Sequence, residues 1–385
     1  MWAQQQARLN EALLRVLPIV VEQQLLVGDS EQRTFVAAWL VEFGNLIQQF
    51  PSGARWLNLE LSIAAYKQAL TVFTKQTRPV TWAIIMMNLA TSYKERIQGD
   101  RAENIEQGIA TYEQALTVLA MQDNPAEWAA TLMNLATAYY ARIQGDRAEN
   151  VERAIAAYEQ ALTIRTRQTT PDDWAITMMN LGLAYADRVH GKRAENIEQS
   201  LLAYEQALTV VTQQQMPVIW AATMMNMGLA YSRRMRGNRA ENIEKAIAAY
   251  EQTLTVATQE SMPVNWATTV MNLGSAYAQR IQGDRVENIE QAISIYESAM
   301  TAVTQQPVPT VWVGIMMNLG LAYSERVRGE RANNVEKAID IYTQILRMLS
   351  RQDMPIEWAN TMTNLGLAYA QRIRGRTCRK YRASY

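Results

Sequence analysis

The residues able to do covalent or proton chemistry are few. The chain holds one histidine, His190, and one cysteine, Cys378. A nucleophilic mechanism needs a base within hydrogen-bond reach of a thiol or hydroxyl, and nothing in the sequence pairs these two. His190 follows Arg188 in a loop where sister segments carry Gln144 or Arg236, the place of a solvated residue. No grouping of His, Cys, Asp and Glu has metal-ligand spacing, and no glycine-rich segment matches a phosphate loop. The sequence therefore predicts no enzyme, no metal and no cofactor. One cysteine cannot form an internal disulfide, which fits a reducing, cytoplasmic setting.

Groups suited to recognition are abundant instead, and they recur at a fixed interval. Asn88, Asn134, Asn180, Asn226, Asn272, Asn318 and Asn364 stand 46 residues apart. An Asn side chain offers two donors and an acceptor, so it can hold the backbone of an extended peptide whatever its sequence. It can equally bond a neighbouring segment across a helix interface. Directly before each stands Met87, Met133, Met179, Met225, Met271 or Met317, with Thr363 last. Flexible, polarisable Met suits a surface that accepts several partners, and it also fills cores. Seven residues after each Asn the identity varies: Glu95, Ala141, Asp187, Arg233, Gln279, Glu325 and Gln371. A further row, Arg96, Arg142, Arg188, Arg234, Arg280, Arg326 and Arg372, could bind anions or brace a loop through its Asp or Glu and helix-end carbonyls. A second Asn row, Asn104, Asn150, Asn196, Asn242, Asn288 and Asn334, is read as helix capping.

The elements that carry these rows follow from the same interval. Trp82, Trp128, Trp174, Trp220, Trp266, Trp312 and Trp358 keep the 46-residue spacing, each three residues after a proline. Within Pro217–Met262, Trp220, Met224, Met227 and Tyr231 form one helical stripe, and Pro217 suits a first helical turn. Gly237 ends that helix. Asn242 starts a second, with Glu244 in its first turn and Ile243, Ile247, Tyr250, Leu254 and Val256 inward. Each copy is thus a helical hairpin, and hairpins this short must stack to bury both apolar faces. The expected organisation is an N-terminal cap over 1–78, made of a helix over 3–27 and a divergent copy, then six full repeats over 79–354. The first helix of a seventh follows over 355–374.

The helix pairs resemble tetratricopeptide repeats. Leu181, Gly182 and Tyr185, followed by Tyr204 and Ala207, carry the family pattern, and comparable residues recur from 33 to about 374. The unit is longer than the usual ~34 residues, and Met178, Met224 and Met316 occupy the family's Trp place. This long form is similar to kinesin light chain repeats and closer to arrays preceding bacterial CHAT domains, which are caspase-like. The resemblance implies an all-α solenoid, a right-handed superhelix of stacked antiparallel helix pairs whose first helices line a concave groove. By that analogy the seven Asn line the groove with Met133, Met179, Met225 and Met271. Asp187, Arg233, Gln279 and Glu325 then supply selectivity toward a protein or peptide partner.

Composition excludes other partners. Lys plus Arg number 37 and Asp plus Glu number 37, so no net charge draws the chain to nucleic acid or anionic membranes. The mixed track lacks the basic and aromatic residues of a nucleic-acid groove. No apolar run has the length of a membrane span or the flanks of a signal peptide. Residues 375–385 leave the repeat and form a basic tail. A coding sequence for ERAENIEQAI with one inserted base reads RTCRKYRASY, all ten residues from Arg376 to Tyr385. The expectation is a frame change that truncates a longer array, which resequencing across that junction tests. The helix over 355–374 then lacks a partner and is expected to fray or to self-associate through its open end.

Overall fold

Proline opens the first helix of each of the six full repeats and of the seventh, and its fixed φ and missing N–H suit a first turn. In the computed structural model these helices are Pro79–Glu95, Pro125–Ala141, Pro171–Asp187, Pro217–Arg233, Pro263–Ala278, Pro309–Glu325 and Pro355–Arg382. The second helices are Arg101–Leu116, Arg147–Ala161, Arg193–Ala207, Arg239–Leu254, Arg285–Val303 and Arg331–Met348. Ser30–Gln49 and Arg55–Ala69 form the divergent pair. The structure describes residues 28–51, 53–303, 309–352 and 354–382, plus isolated positions between 12 and 23. Side chains of 301–303, 309 and 374–382 are not described, so Cys378 and most of the expected helix over 3–27 lie outside the description. All the described regular structure is helical. No described helix is long and apolar enough to cross a membrane.

The chain divides into two compact units, residues 1–193 and 194–385. Each is a stack of antiparallel helix pairs. In both, consecutive helices pack, and each first helix also approaches the first helix of the next pair, while among the described residues no two second helices come as close. First helices therefore make the tighter inner row, and second helices fan out. The core of each unit is filled by the repeat's own tyrosine: Tyr66, Tyr112 and Tyr158 in one, Tyr250, Tyr296 and Tyr342 in the other, all at most 2% exposed. Alanines such as Ala115 and Ala161 sit beside them with no exposure.

The turn within each pair shows how the second helix starts. Gly99, Gly145, Gly237 and Gly283 take φ near +80°, a conformation glycine adopts without strain. The N-cap is the next residue: Asp100, Asp146 and Asp284 accept from the backbone N–H of Glu103, Glu149 and Glu287 at 2.9–3.0 Å. Asn238 caps the corresponding helix in its copy. This corrects the capping role read for the second Asn row. Asn104, Asn150, Asn242, Asn288 and Asn334 lie one turn inside, are at most 3% exposed, and donate to loop carbonyls of Gln98, Gln144, Arg236, Gln282 and Arg328 at 2.8 Å. They tie the loop down instead of starting the helix, since an acid or amide at the preceding turn already satisfies the free N–H groups.

Candidate functional site

The arginine row at the ends of the first helices proves to be a set of clamps between repeats. Arg96 meets Glu60 in bidentate fashion at 2.6 and 2.9 Å. Arg142–Glu106, Arg188–Glu152, Arg234–Glu198, Arg280–Glu244 and Arg326–Glu290 repeat the geometry at 2.7–2.8 Å. Every acceptor lies 36 residues back, on the second helix of the preceding pair. The brace is therefore not on the Asp or Glu of the arginine's own loop, because those residues cap the helix that follows. The paired guanidinium holds the carboxyls of Glu152, Glu198 and Glu290 below the ordinary glutamate value. His190 is exposed in its loop and adds a weak favourable field to Glu152. A parallel row ties Tyr139, Tyr185 and Tyr323 to Glu113, Glu159 and Glu297 of the preceding second helix. Burial first, then the acceptor carboxylate, pushes these three phenols up to about 12, so they remain neutral donors.

The inner row carries the Asn and Met positions. All seven Asn are half-buried on first helices. Asn88 donates to Asn45 of the preceding first helix at 3.0 Å, and Asn318 is hydrogen-bonded to the phenol of Tyr296, so at these two the neighbouring repeat is the partner. Among the described residues, the side-chain amides of Asn134, Asn180, Asn226, Asn272 and Asn364 meet no partner. Met87, Met133, Met179, Met225, Met271 and Met317 are half-buried as well. Met225, Met271 and Met317 pack against core residues, and the Met271 sulfur lies close over Gly314 of the next first helix. Met271 thus fills the seam between two first helices.

The variable track meets a row of arginines that the sequence did not single out as a group. These open the second helices: Arg55, Arg101, Arg147, Arg193, Arg239, Arg285 and Arg331. One nitrogen of each donates to a carbonyl near the end of its own first helix. A second reaches the track residue of the next pair where that residue can accept. Arg55 pairs with Glu95, and Arg285 with Glu325 at 2.6 Å. Arg239 donates to Gln279 and Arg331 to Gln371, both at 2.9 Å. Arg147 lies 3.7 Å from Asp187. Open clefts recur beside this contact, one lined by Arg55, Thr91 and Glu95, another by Arg239, Gln279, Arg285, Asn318 and Glu325. The recurrence of Arg three residues before each buried Asn was the signal that could have revealed the row.

No group of three or more His, Cys, Asp or Glu among the described residues could hold a metal ion. A family model of the tetratricopeptide repeat matches residues 128–167 and 220–254. The helix pairs of the chain are of the tetratricopeptide-repeat type. The repeats are similar in fold to a Rap protein solved in complex with Competence and Sporulation Factor, at 14% identity and TM-score 0.50, over 90% of this chain and 99% of that one. They are also similar to the apo form of RapI, at 12% identity and TM-score 0.50, over 97% and 99%. No curated protein matches the chain by sequence. Within the tetratricopeptide unit, Met86, Met178, Met224 and Met316 in the family's Trp place are at most 8% exposed and serve as core.

Proposed function

We propose that this tetratricopeptide array is a non-enzymatic, cytoplasmic scaffold that binds a protein or peptide along the inner row of its first helices. The observation that carries the reading is the set of unpartnered amides at Asn134, Asn180, Asn226, Asn272 and Asn364, half-buried at repeat spacing. A half-buried amide without a partner is costly unless a ligand or water satisfies it. The complex of a Rap protein of similar fold with Competence and Sporulation Factor supports a role in holding another molecule. The likeness of the long unit to arrays preceding CHAT domains supports a sensor or adaptor arm of a bacterial effector. The test is capture from lysate of the source cell by the intact array and by a variant with Asn180, Asn226 and Asn272 all changed to Ala. The variant is expected to lose the captured partner while its helicity is unchanged. Equal capture by both overturns the groove.

A second reading, self-assembly through the last helix, rests on Pro355–Arg382. Ile356, Leu367 and Ile373 there are 59–70% exposed, and Tyr369 is 42% exposed where its sister Tyr323 is 4%. The occupant of that surface in this reading is a second copy of the chain.

A further inference from the structure

A first helix in the middle of a unit is covered on two sides. Pro79–Glu95 packs between Arg55–Ala69 of the preceding pair and Arg101–Leu116 of its own. Pro355–Arg382 packs on the preceding second helix, Arg331–Met348, and among the described residues no second helix of its own follows. Its open side is the one that sister helices turn to their own partner. Met362 and Tyr369 are 43% and 42% exposed there, where Met316 and Tyr323 are 4%. Gly366 lies between them. At Gly228 and Gly320 a Cβ would meet the tyrosine ring of the partner helix at 2.7 and 2.6 Å, whereas at Gly366 it meets nothing within 4 Å. The seat that holds an aromatic ring in sister copies is open here.

Ser30–Gln49 presents rings on its own open side. Phe35, Trp39, Leu46 and Phe50 fall on one helical stripe, and each is at least 44% exposed. In later first helices the places of Trp39 and Leu46 face the preceding second helix and hold small side chains. Thr131 and Thr223 stand for Trp39, and Ser92 and Ala138 for Leu46, all with no exposure. The hydroxyl of Ser92 meets that of Ser62 on the preceding second helix at 2.8 Å. On Ser30–Gln49 both places have become large and apolar. Val21 joins the core with Ala37 and Leu40, away from this stripe.

We infer that Ser30–Gln49 of a second copy docks on the open side of Pro355–Arg382, in the place of a second helix, and seats an aromatic side chain on Gly366. This rests on the self-assembly reading and names the surface of the second copy that the last helix meets. A second helix runs antiparallel to its first. In that orientation the start of Ser30–Gln49, with Asp29 and Glu31, lies beside residues 372–382, which hold Arg372, Arg374, Arg376, Arg379, Lys380 and Arg382 and no acid. Charge and helix dipoles therefore favour the same alignment. The three aromatic rings together expose roughly 300 Å², a patch of the size that marks an interaction site. It is too small for a permanent dimer, so the contact forms with rising concentration. Two different surfaces meet, which makes the contact heterologous.

The test is sedimentation velocity of the full chain over a range of concentrations. Trp39→Glu with Leu46→Glu alters one surface, and Met362→Glu with Tyr369→Glu alters the other. All four positions are exposed, and circular dichroism checks that helicity is kept. Each double variant alone is expected to associate at least about tenfold more weakly than wild type, as loss of a buried aromatic anchor does. An equimolar mixture of the two is expected to restore a 1:1 dimer and nothing larger, because each variant keeps one sound surface. Gly366→Leu adds apolar surface and a better helix former, yet fills the seat. It is expected to fold as wild type and to lose association, which keeps the test decisive if a double variant fails to fold. A dimer that survives Trp39→Glu with Leu46→Glu, a mixture that stays monomeric, or Gly366→Leu associating like wild type overturns the docking. The first of these leaves self-assembly through the last helix standing and gives the aromatic stripe to another occupant, such as residues 1–27 of its own copy. A wild type that is monomeric throughout overturns both.

Discussion

At Gly228 a Cβ would lie 2.7 Å from the Tyr250 ring, and at Gly320 it would lie 2.6 Å from that of Tyr342. This glycine of the first helix is thus a socket for the tyrosine of its partner helix. Where alanine stands instead, at Ala90 and Ala136, the following residue is Thr91 or Thr137, and the tyrosine hydroxyl of Tyr112 or Tyr158 pairs with it at 2.7 or 3.0 Å. Two local solutions hold one buried ring, one by shape and one by a hydrogen bond. Gly228→Ala is expected to destabilise the array by about 1–3 kcal/mol through overpacking. Gly366, where a Cβ meets nothing within 4 Å, is expected to gain about 0.5–1 kcal/mol on the same change, since Gly is a poor residue inside a helix. Urea unfolding of the two variants checks both signs.

At the scale of elements, each first helix is also clamped by charge to the second helix before it. The clamps from Arg188 to Glu152, Arg234 to Glu198 and Arg326 to Glu290 depress the three carboxyl groups in the folded state. Their hydrogen bonds to arginine are the main cause. A depressed acid contributes stability at pH above its unfolded value near 4.5, and that contribution fades as pH falls through the folded value. The melting temperature is therefore expected to hold from neutral pH down to about 5 and to drop below it. Arg188→Gln should return Glu152 toward its ordinary value in a carboxyl NMR titration. An unchanged titration would sink the clamp as the cause.

For the molecule as a whole, the helix Pro355–Arg382 stands out in the second unit by the apolar side chains it exposes. It runs past Gly375 to Arg382, where sister copies turn at the equivalent glycine. Ile356, Met362, Leu367, Tyr369 and Ile373 remain on its surface, each at least 42% exposed. Apolar surface of this kind drives association. Sedimentation velocity is expected to show dimers growing with concentration, and Leu367→Glu with Ile373→Glu to return the chain to monomer. A wild type that stays monomeric at every concentration would remove the assembly reading.

The repeat, the helix pairs and the buried tyrosine face were legible in the residues themselves, because helical periodicity and proline starts are local properties of the chain. The partners of each row were not legible, and the reason is simple. The clamp arginines, the arginines that open the second helices, the capping acids and both Asn rows share one 46-residue period, so periodicity cannot tell which row meets which. Only the offset between stacked helices decides that Arg280 reaches Glu244 and that Asn242 lies inside its helix. The sequence by itself determined what is repeated, and the tertiary stacking decided which repeated groups meet a partner on the chain and which do not.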